Sequence, residues 1–318
     1  MHEPTLRALR LHYPGAEIHA ITDSANFEIV KYHPAIARAE IFKRKVKGLK
    51  DLWRVFTLVQ KIRREKYDLL VNFYMGGITI NLTRFSRIPL RLAFDRYPKL
   101  RRVNNLLAKT PSSFGNWVVE FRELVRPLGI DPESIWPQPQ LFLAEAFLDA
   151  PKPFLPPGQN YVAYNLATSD PVKCWSVSNY VALAAGLFHD HGLVPVIVSN
   201  PGQVDLVDAF QRLYPKDLPL IILPVMGLMK LATILKAMQM VVTGDTGIMH
   251  MSFALDIPTL AIFTNGRPEF ATSPMTSKIV IFQEDPLAPK YPSGQLHGTK
   301  DLSIEQVRSG IEDLLKIN

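Results

Sequence analysis

From Asn160 to Phe263 the chain alternates short apolar runs with longer stretches whose apolar residues recur at helical spacing, and this alternation constrains the fold more than any other feature. NYVAYNL reads as a strand, NYVALAAGLFHDHG as a helix ended by Gly192, LVPVIVSN as a strand, VDLVDAFQRLY as a helix and LPLIILP as a strand. MKLATILKAMQ, MVVTG, IMHMSFAL and TLAIFT continue as helix, strand, helix and strand, and SIEQVRSGIEDLLKIN closes the chain as an amphipathic helix. Strands separated by helices need crossover connections, which are right-handed and build a parallel sheet. The first half has a similar pattern: PTLRALRLHY and LKDLWRVFTLVQKIRREK read as helices, AEIHAIT and YDLLVNF as strands. Between the halves, the prolines of WPQPQLFLAEAFLDAPKPFLPPGQN, Trp136 to Asn160, forbid a continuous helix or central strand and mark a linker. The reading is α/β, with two Rossmann-like domains over 1–150 and 151–318 facing a cleft and ligand sites at the carboxyl ends of their strands.

A chain of 318 residues that is 47% hydrophobic and 20% charged can bury a core in each of two domains without staples. Its one cysteine, Cys174, allows no internal disulfide, which suits a reducing, cytoplasmic compartment. No run approaches the roughly 20 apolar residues of a membrane span, and MHEPTLRALR lacks the apolar core of a secretory signal. Charge is uneven: residues 1–150 hold 24 Lys and Arg against 15 Asp and Glu, and residues 151–318 hold 12 against 14. KRKVKGLK (43–50), KIRREK (61–66) and the series from Arg84 to Arg102 make the first half basic. Nucleic acid, an anionic membrane surface, a phosphorylated or acidic-sugar acceptor, or simply a solvated face all fit such a field.

The segment VVTGDTGIMH breaks a strand near Thr243 and opens a helix, so Gly244 to Gly247 form a turn at a strand's carboxyl end. Free N–H groups and the positive dipole end of the helix then point at one place, an arrangement that binds anions. Gly244 and Gly247 let backbone approach closely, and the Thr246 hydroxyl is able to donate to a phosphate oxygen. Asp245 would repel a phosphate and is better facing sugar hydroxyls. The plainer alternative is that Asp245 or Thr246 caps the helix. His250, one turn in, reads more readily as a packed, hydrogen-bonded residue than as a catalytic one. In YNLATSDPVKCWS, Thr168, Ser169 and Lys173 follow another strand of the same sheet, where two hydroxyls and an ammonium suit a diphosphate; alone, they read as a solvated loop. There is no G-x-G-x-x-G, P-loop or G-x-S-x-G, and eight scattered histidines with one cysteine argue against a protein metal site.

MVVTGDTGIMHMSFALDIPTLAIF resembles the signature of the family 9 glycosyltransferases, the ADP-heptose:lipopolysaccharide heptosyltransferases, with its strand, Asp-Thr-Gly-x-x-His, small-residue helix, Pro and strand. PTLRALRLHYPGAEIHAIT, REKYDLLVNF with GGITINLTRFSRIPLRLAFDR, the pair Lys173-x-Trp175 and LPVMGLMKLATILKAMQMVVTGD extend the likeness over nearly the whole chain. The resemblance implies a GT-B architecture and inverting transfer from ADP-heptose without a cofactor or essential metal. It places Thr168, Ser169, Lys173, Thr246 and Gly247 on the donor diphosphate, Asp245 on the donor sugar or ribose, and His250 in support of the turn. It brings Leu223 to Met229, with Met226, near the base. It implies an anionic lipid-linked acceptor, the Kdo-bearing inner core of lipopolysaccharide, met at the cytoplasmic face of the inner membrane, and no nucleic acid.

This chain departs from the family at several points. YNLATSDP stands where a His-Pro-Gly-like stretch is usual, and Asn72 and Tyr74 where Asp and Gln are frequent. The family opens with a strand and a Gly-Asp turn whose Asp is the expected general base. Aligning PTLRALR puts that Asp a few residues ahead of Met1, with an upstream start supplying strand and base. Otherwise His2 or Glu3 would be the nearest replacements, or the chain would be a non-catalytic, regulatory component that retains nucleotide-sugar binding.

Overall fold

The computed structural model describes residues 2–42, 48–74, 76–96, 98–111, 116–166, 174–200, 202–263, 279–283 and 303–315. The chain divides into two compact units, Met1–Pro139 and Gln140–Asn318. The division falls earlier than the 150/151 expected, because the residues after Pro139 already belong to the second unit. The Leu141 N–H donates to the Ala254 carbonyl at 3.0 Å, and Leu141, Leu143, Ala150 and Phe154 pack against that unit's core.

The first unit runs α1 (Glu3–His12), β1 (His19–Thr22), α2 (Phe27–Lys31), β2 (Arg38–Ile41), α3 (Leu49–Glu65), β3 (Leu69–Val71), α4 (Gly77–Ser86), β4 (Leu90–Phe94), α5 (Pro98–Arg101), β5 (Leu106–Ala108) and α6 (Trp117–Arg122). Its strands form a β1–β2 pair and a β3–β4–β5 sheet, parallel throughout. Val59 and Ile62 of α3 meet Leu82 of α4 and Ile88. Leu92 and Phe94 of β4 meet Ala108 of β5 and Leu124.

The second unit holds β6 (Asn160–Asn165), α7 (Val177–His191), β7 (Leu193–Val198), α8 (Val204–Leu213), β8 (Ile221–Leu223), α9 (Leu228–Lys236), β9 (Met240–Gly244), α10 (Gly247–Ala254), β10 (Thr259–Phe263), β11 (Ile279–Gln283) and α11 (Ile304–Leu315). One sheet, ordered β11-β10-β9-β6-β7-β8, pairs them all in parallel. Side chains alternate between its two covered faces. Val162 and Tyr164 of β6 join Leu183 and Leu187 of α7 and Val307 and Ile311 of α11. Tyr161 and Ala163, one residue out of phase, join Leu231, Ile234 and Leu235 of α9 and Ile248 and Met251 of α10. Ser176 caps α7, accepting from the Asn179 N–H, and Gly192, at φ +66°, ends it; glycine carries that left-handed conformation without a Cβ clash. From β6 the chain winds one way through β7 and β8 and the other way through β9, β10 and β11. The reversal lies between β6 and β9, and doubly wound sheets open their crevice at such a point, beyond the strands' carboxyl ends. Among the described residues no helix is long and apolar enough to cross a membrane.

Candidate functional site

At the reversal, β9 is buried to its end and the chain turns through Asp245 and Thr246 into α10. Thr246 is the residue before the helix, with extended backbone, yet its side chain makes no capping bond to the first-turn N–H groups. Its hydroxyl is engaged elsewhere. Asn165, the last residue of β6, donates from Nδ2 to Thr246 Oγ1 at 3.0 Å and to Thr243 Oγ1 at 3.0 Å. The two threonine oxygens stand 3.1 Å apart, and Thr243 also donates to the Gly244 carbonyl. Asn200, just past β7, donates to Asn165 Oδ1 at 3.0 Å and to Gln203 Oε1 at 3.0 Å. One amide thus ties together the ends of β6, β7 and β9.

The consequence for chemistry is electrostatic. The α10 N-terminus keeps its orphan N–H groups and dipole end without a side-chain cap. A Cβ added at Gly247 would meet no atom within 4 Å, so the first turn is sterically open. Thr246 accepts from Asn165 and, with the Thr243 proton on the Gly244 carbonyl, donates its own to Thr243 Oγ1. Asp245, half-buried, lies beside this turn. His250, half-buried one turn further on, has its pKa lowered to about 4, chiefly by burial and against the pull of Asp245. Its imidazole is therefore neutral near pH 7 and adds no positive charge to the turn. The helix terminus is what the described residues offer an anion here, and Thr246 joins it by turning its proton away from Thr243.

Met226 lies in the loop that leaves β8 at the same edge of the sheet, partly buried against the second unit's core, with Val225 beside it 55% exposed. Thr168, Ser169 and Lys173 lie outside the described residues. Of the described residues nearest them in sequence, Leu166 is buried and Trp175 is 2% exposed, packing edge-on to Tyr180 at 5.0 Å.

The model of glycosyltransferase family 9 (heptosyltransferase) matches residues 55–294, three-quarters of the chain. The chain belongs to this family. It is a glycosyltransferase. Lipopolysaccharide heptosyltransferase 3 of Escherichia coli is 23% identical over 82% of this chain and 78% of its own length. Among solved structures, the family 9 glycosyl transferase of Veillonella parvula superposes with a TM-score of 0.86 at 17% identity, covering 100% of this chain and 93% of its own. E. coli heptosyltransferase WaaC, solved with ADP-2-deoxy-2-fluoro heptose, gives 0.75 at 18%, covering 98% and 94%. These superpositions give the glycosyltransferase the GT-B fold that the resemblance implied.

In the first unit of the glycosyltransferase, polar residues also gather where β3 ends. Asn72, 6% exposed, donates to Thr83 Oγ1 at 3.0 Å and to Asn104 Oδ1 at 2.9 Å. Tyr74 is 51% exposed, and a Cβ on Gly76 would overlap its ring. The His2 ring lies against Phe121 at 4.0 Å and Phe73 at 4.7 Å, and desolvation lowers its pKa to about 3. So weak a base is poorly matched to proton abstraction near pH 7. Glu3 is held 3.4 Å from Arg7 and 3.7 Å from His33. Arg96, over the Phe94 ring at 4.8 Å, is ion-paired with buried Glu120.

Sequence reasoning missed Asn165 and Asn200. The available signal was an amide ending an otherwise apolar strand, in NYVAYN, and another opening the turn after VPVIVS.

Proposed function

We propose that this glycosyltransferase moves a heptosyl group from ADP-heptose, with inversion, onto the Kdo-bearing inner core of lipopolysaccharide at the cytoplasmic face of the inner membrane. The observation that carries the donor half is the uncapped α10 N-terminus, with Thr246 drawn aside by Asn165. The acceptor hydroxyl oxygen bonds to the anomeric carbon, its proton goes to a general base, the role that the family resemblance gives an Asp, the bond to the β-phosphate oxygen breaks, and ADP leaves with the electron pair. Charge growing on that phosphate is met by the first-turn N–H groups of α10, by Thr246 and by Lys173 with Thr168 and Ser169. Asp245 faces the donor sugar, away from the phosphates. From β9 to β8 is three strand spacings, about 14 Å, so the Val225–Met226 loop takes the adenine at the far end of the nucleotide. His250 supports the turn as a neutral imidazole. The first unit, with 24 Lys and Arg against 13 Asp and Glu over residues 1–139, receives the acidic acceptor. The two relatives named for heptose transfer, one of them solved with an ADP-heptose analogue, support both substrates.

Titration calorimetry with ADP, followed by turnover of ADP-heptose on a deacylated Kdo-lipid acceptor, tests this reading. Lys173→Ala should bind ADP about ten- to a hundredfold more weakly, the worth of one charged hydrogen bond, with an unchanged far-UV spectrum and melting temperature. Unaltered affinity would remove Lys173 from the donor site. Nucleotide binding without any transfer would instead assign the chain the non-catalytic role.

A further inference from the structure

Helix α3 has two apolar faces, and among the described residues only one is covered. Val59 and Ile62, with Val55 and Leu58, pack inward on Leu82 and Ile88. Leu49, Leu52, Trp53 and Phe56 face water, at 84%, 56%, 67% and 51% exposure. Their spacing of i, i+3, i+4 and i+7 places them on one stripe over the first two turns. The Trp53 and Phe56 rings meet at 5.5 Å, so the stripe presents a contiguous aromatic surface. Leaving four such side chains in water forgoes burial that the fold uses elsewhere on the same helix.

The rest of the helix surface is basic. Five Lys and Arg stand against two acidic residues in LKDLWRVFTLVQKIRRE. Arg64 flanks the stripe and Arg63 continues its line toward the helix end, while Arg54 and Lys61 lie further round the helix, paired with Asp51 and Glu40. The whole first unit carries an excess of positive charge, 24 against 13. Apolar and aromatic residues on one face with cations alongside them describe a helix lying in an anionic lipid–water interface, rings in the headgroup boundary and cations at the phosphates.

We infer that the exposed stripe of α3, Leu49, Leu52, Trp53 and Phe56, docks the protein onto the surface of an anionic lipid bilayer. A second copy of the chain is the poorer occupant. The stripe offers on the order of 500 Å², the size of a functional patch on a monomer, short of the roughly 800 Å² each partner gives a stable interface. Two such stripes would also bring their flanking arginines together. This inference names the surface behind the membrane contact proposed above, and it stands on the exposed helix face alone, independently of the donor assignment.

The test is co-sedimentation with vesicles of phosphatidylcholine plus phosphatidylglycerol and with vesicles of phosphatidylcholine alone. The wild-type protein should partition onto the mixed vesicles, less strongly at high salt, and hardly at all onto the neutral ones. The double variant Trp53→Ser, Phe56→Ser should lose about tenfold or more of that partition. Because both residues are exposed, its far-UV spectrum and ADP affinity should be unchanged, so a failed donor site would register in ADP binding and not in sedimentation. Wild-type protein that stays in the supernatant, or a double variant that sediments as well as wild type, overturns the inference. So does a lipid-free wild-type dimer, seen by sedimentation velocity, that the double variant abolishes.

Discussion

Asn165 gives both amide protons to threonine hydroxyls and takes one from Asn200, so truncating it removes three hydrogen bonds among buried and half-buried groups. Asn165→Ala should cost about 1–3 kcal/mol in urea unfolding. With Thr246 released to swing back and cap α10, the same variant should weaken ADP binding about tenfold, or about 1.4 kcal/mol, by calorimetry. His250 makes a prediction of a different kind. Its pKa is lowered from 6.5 to about 4 in the fold, so between those values the unfolded chain binds the proton and the native one does not. Stability from this group is present above pH 6.5 and is lost as pH falls toward 4. Unfolding at pH 5 should therefore take up close to one proton that His250→Gln does not, measurable as a shallower fall of the urea midpoint with pH in the variant. Neither property was legible from residue identity. The GDTG turn announced itself through its glycines, whereas Asn165 looks in sequence like the end of an apolar strand, and its importance comes from what stands 78 and 81 positions away.

Helices and strands of the second unit were readable because apolar runs alternate there with stretches at helical spacing, and α7 is also bounded by Ser176 and Gly192. In the first unit α1, β1, α3 and β3 were read as elements, whereas β2 and β5 were not, for different reasons. β5 is three residues, LLA, too few for any alternation to register. β2, RAEI, alternates charge with apolar residues; Arg38 and Glu40 form an ion pair at 2.7 Å that also reaches Glu65 and Lys61, and nothing in the sequence supplies those partners. The α10 terminus gives the prediction that belongs to an element. Gly247→Ala adds a methyl where nothing lies within 4 Å and φ is ordinary, so stability should hold or rise slightly. That methyl would project from the turn assigned to the diphosphate, and ADP affinity should fall about tenfold. A variant as stable as wild type but weaker for ADP separates a binding terminus from a merely structural one, and unchanged affinity would move the diphosphate elsewhere.

Across the whole molecule, charge is partitioned with the fold: the excess of Lys and Arg lies in Met1–Pro139, and Gln140–Asn318 carries slightly more acid than base. Screening acts most on exposed, long-range fields. Raising ionic strength from low to physiological should raise KM for an acidic saccharide acceptor several-fold while leaving KM for the nucleotide sugar much less affected; equal responses would deny the first unit its acceptor role. The doubly wound topology of the second unit was legible from alternation alone, but the strand order was not, since it depends on which βα unit crosses which face. That order sets β6 beside β9 and lets one asparagine span them. The scaffold and the site therefore share atoms, and a lineage that alters Asn165 without altering Thr243 and Thr246 passes through a weaker protein. These positions are expected to drift as a set, making them coupled in ancestry as they are in space.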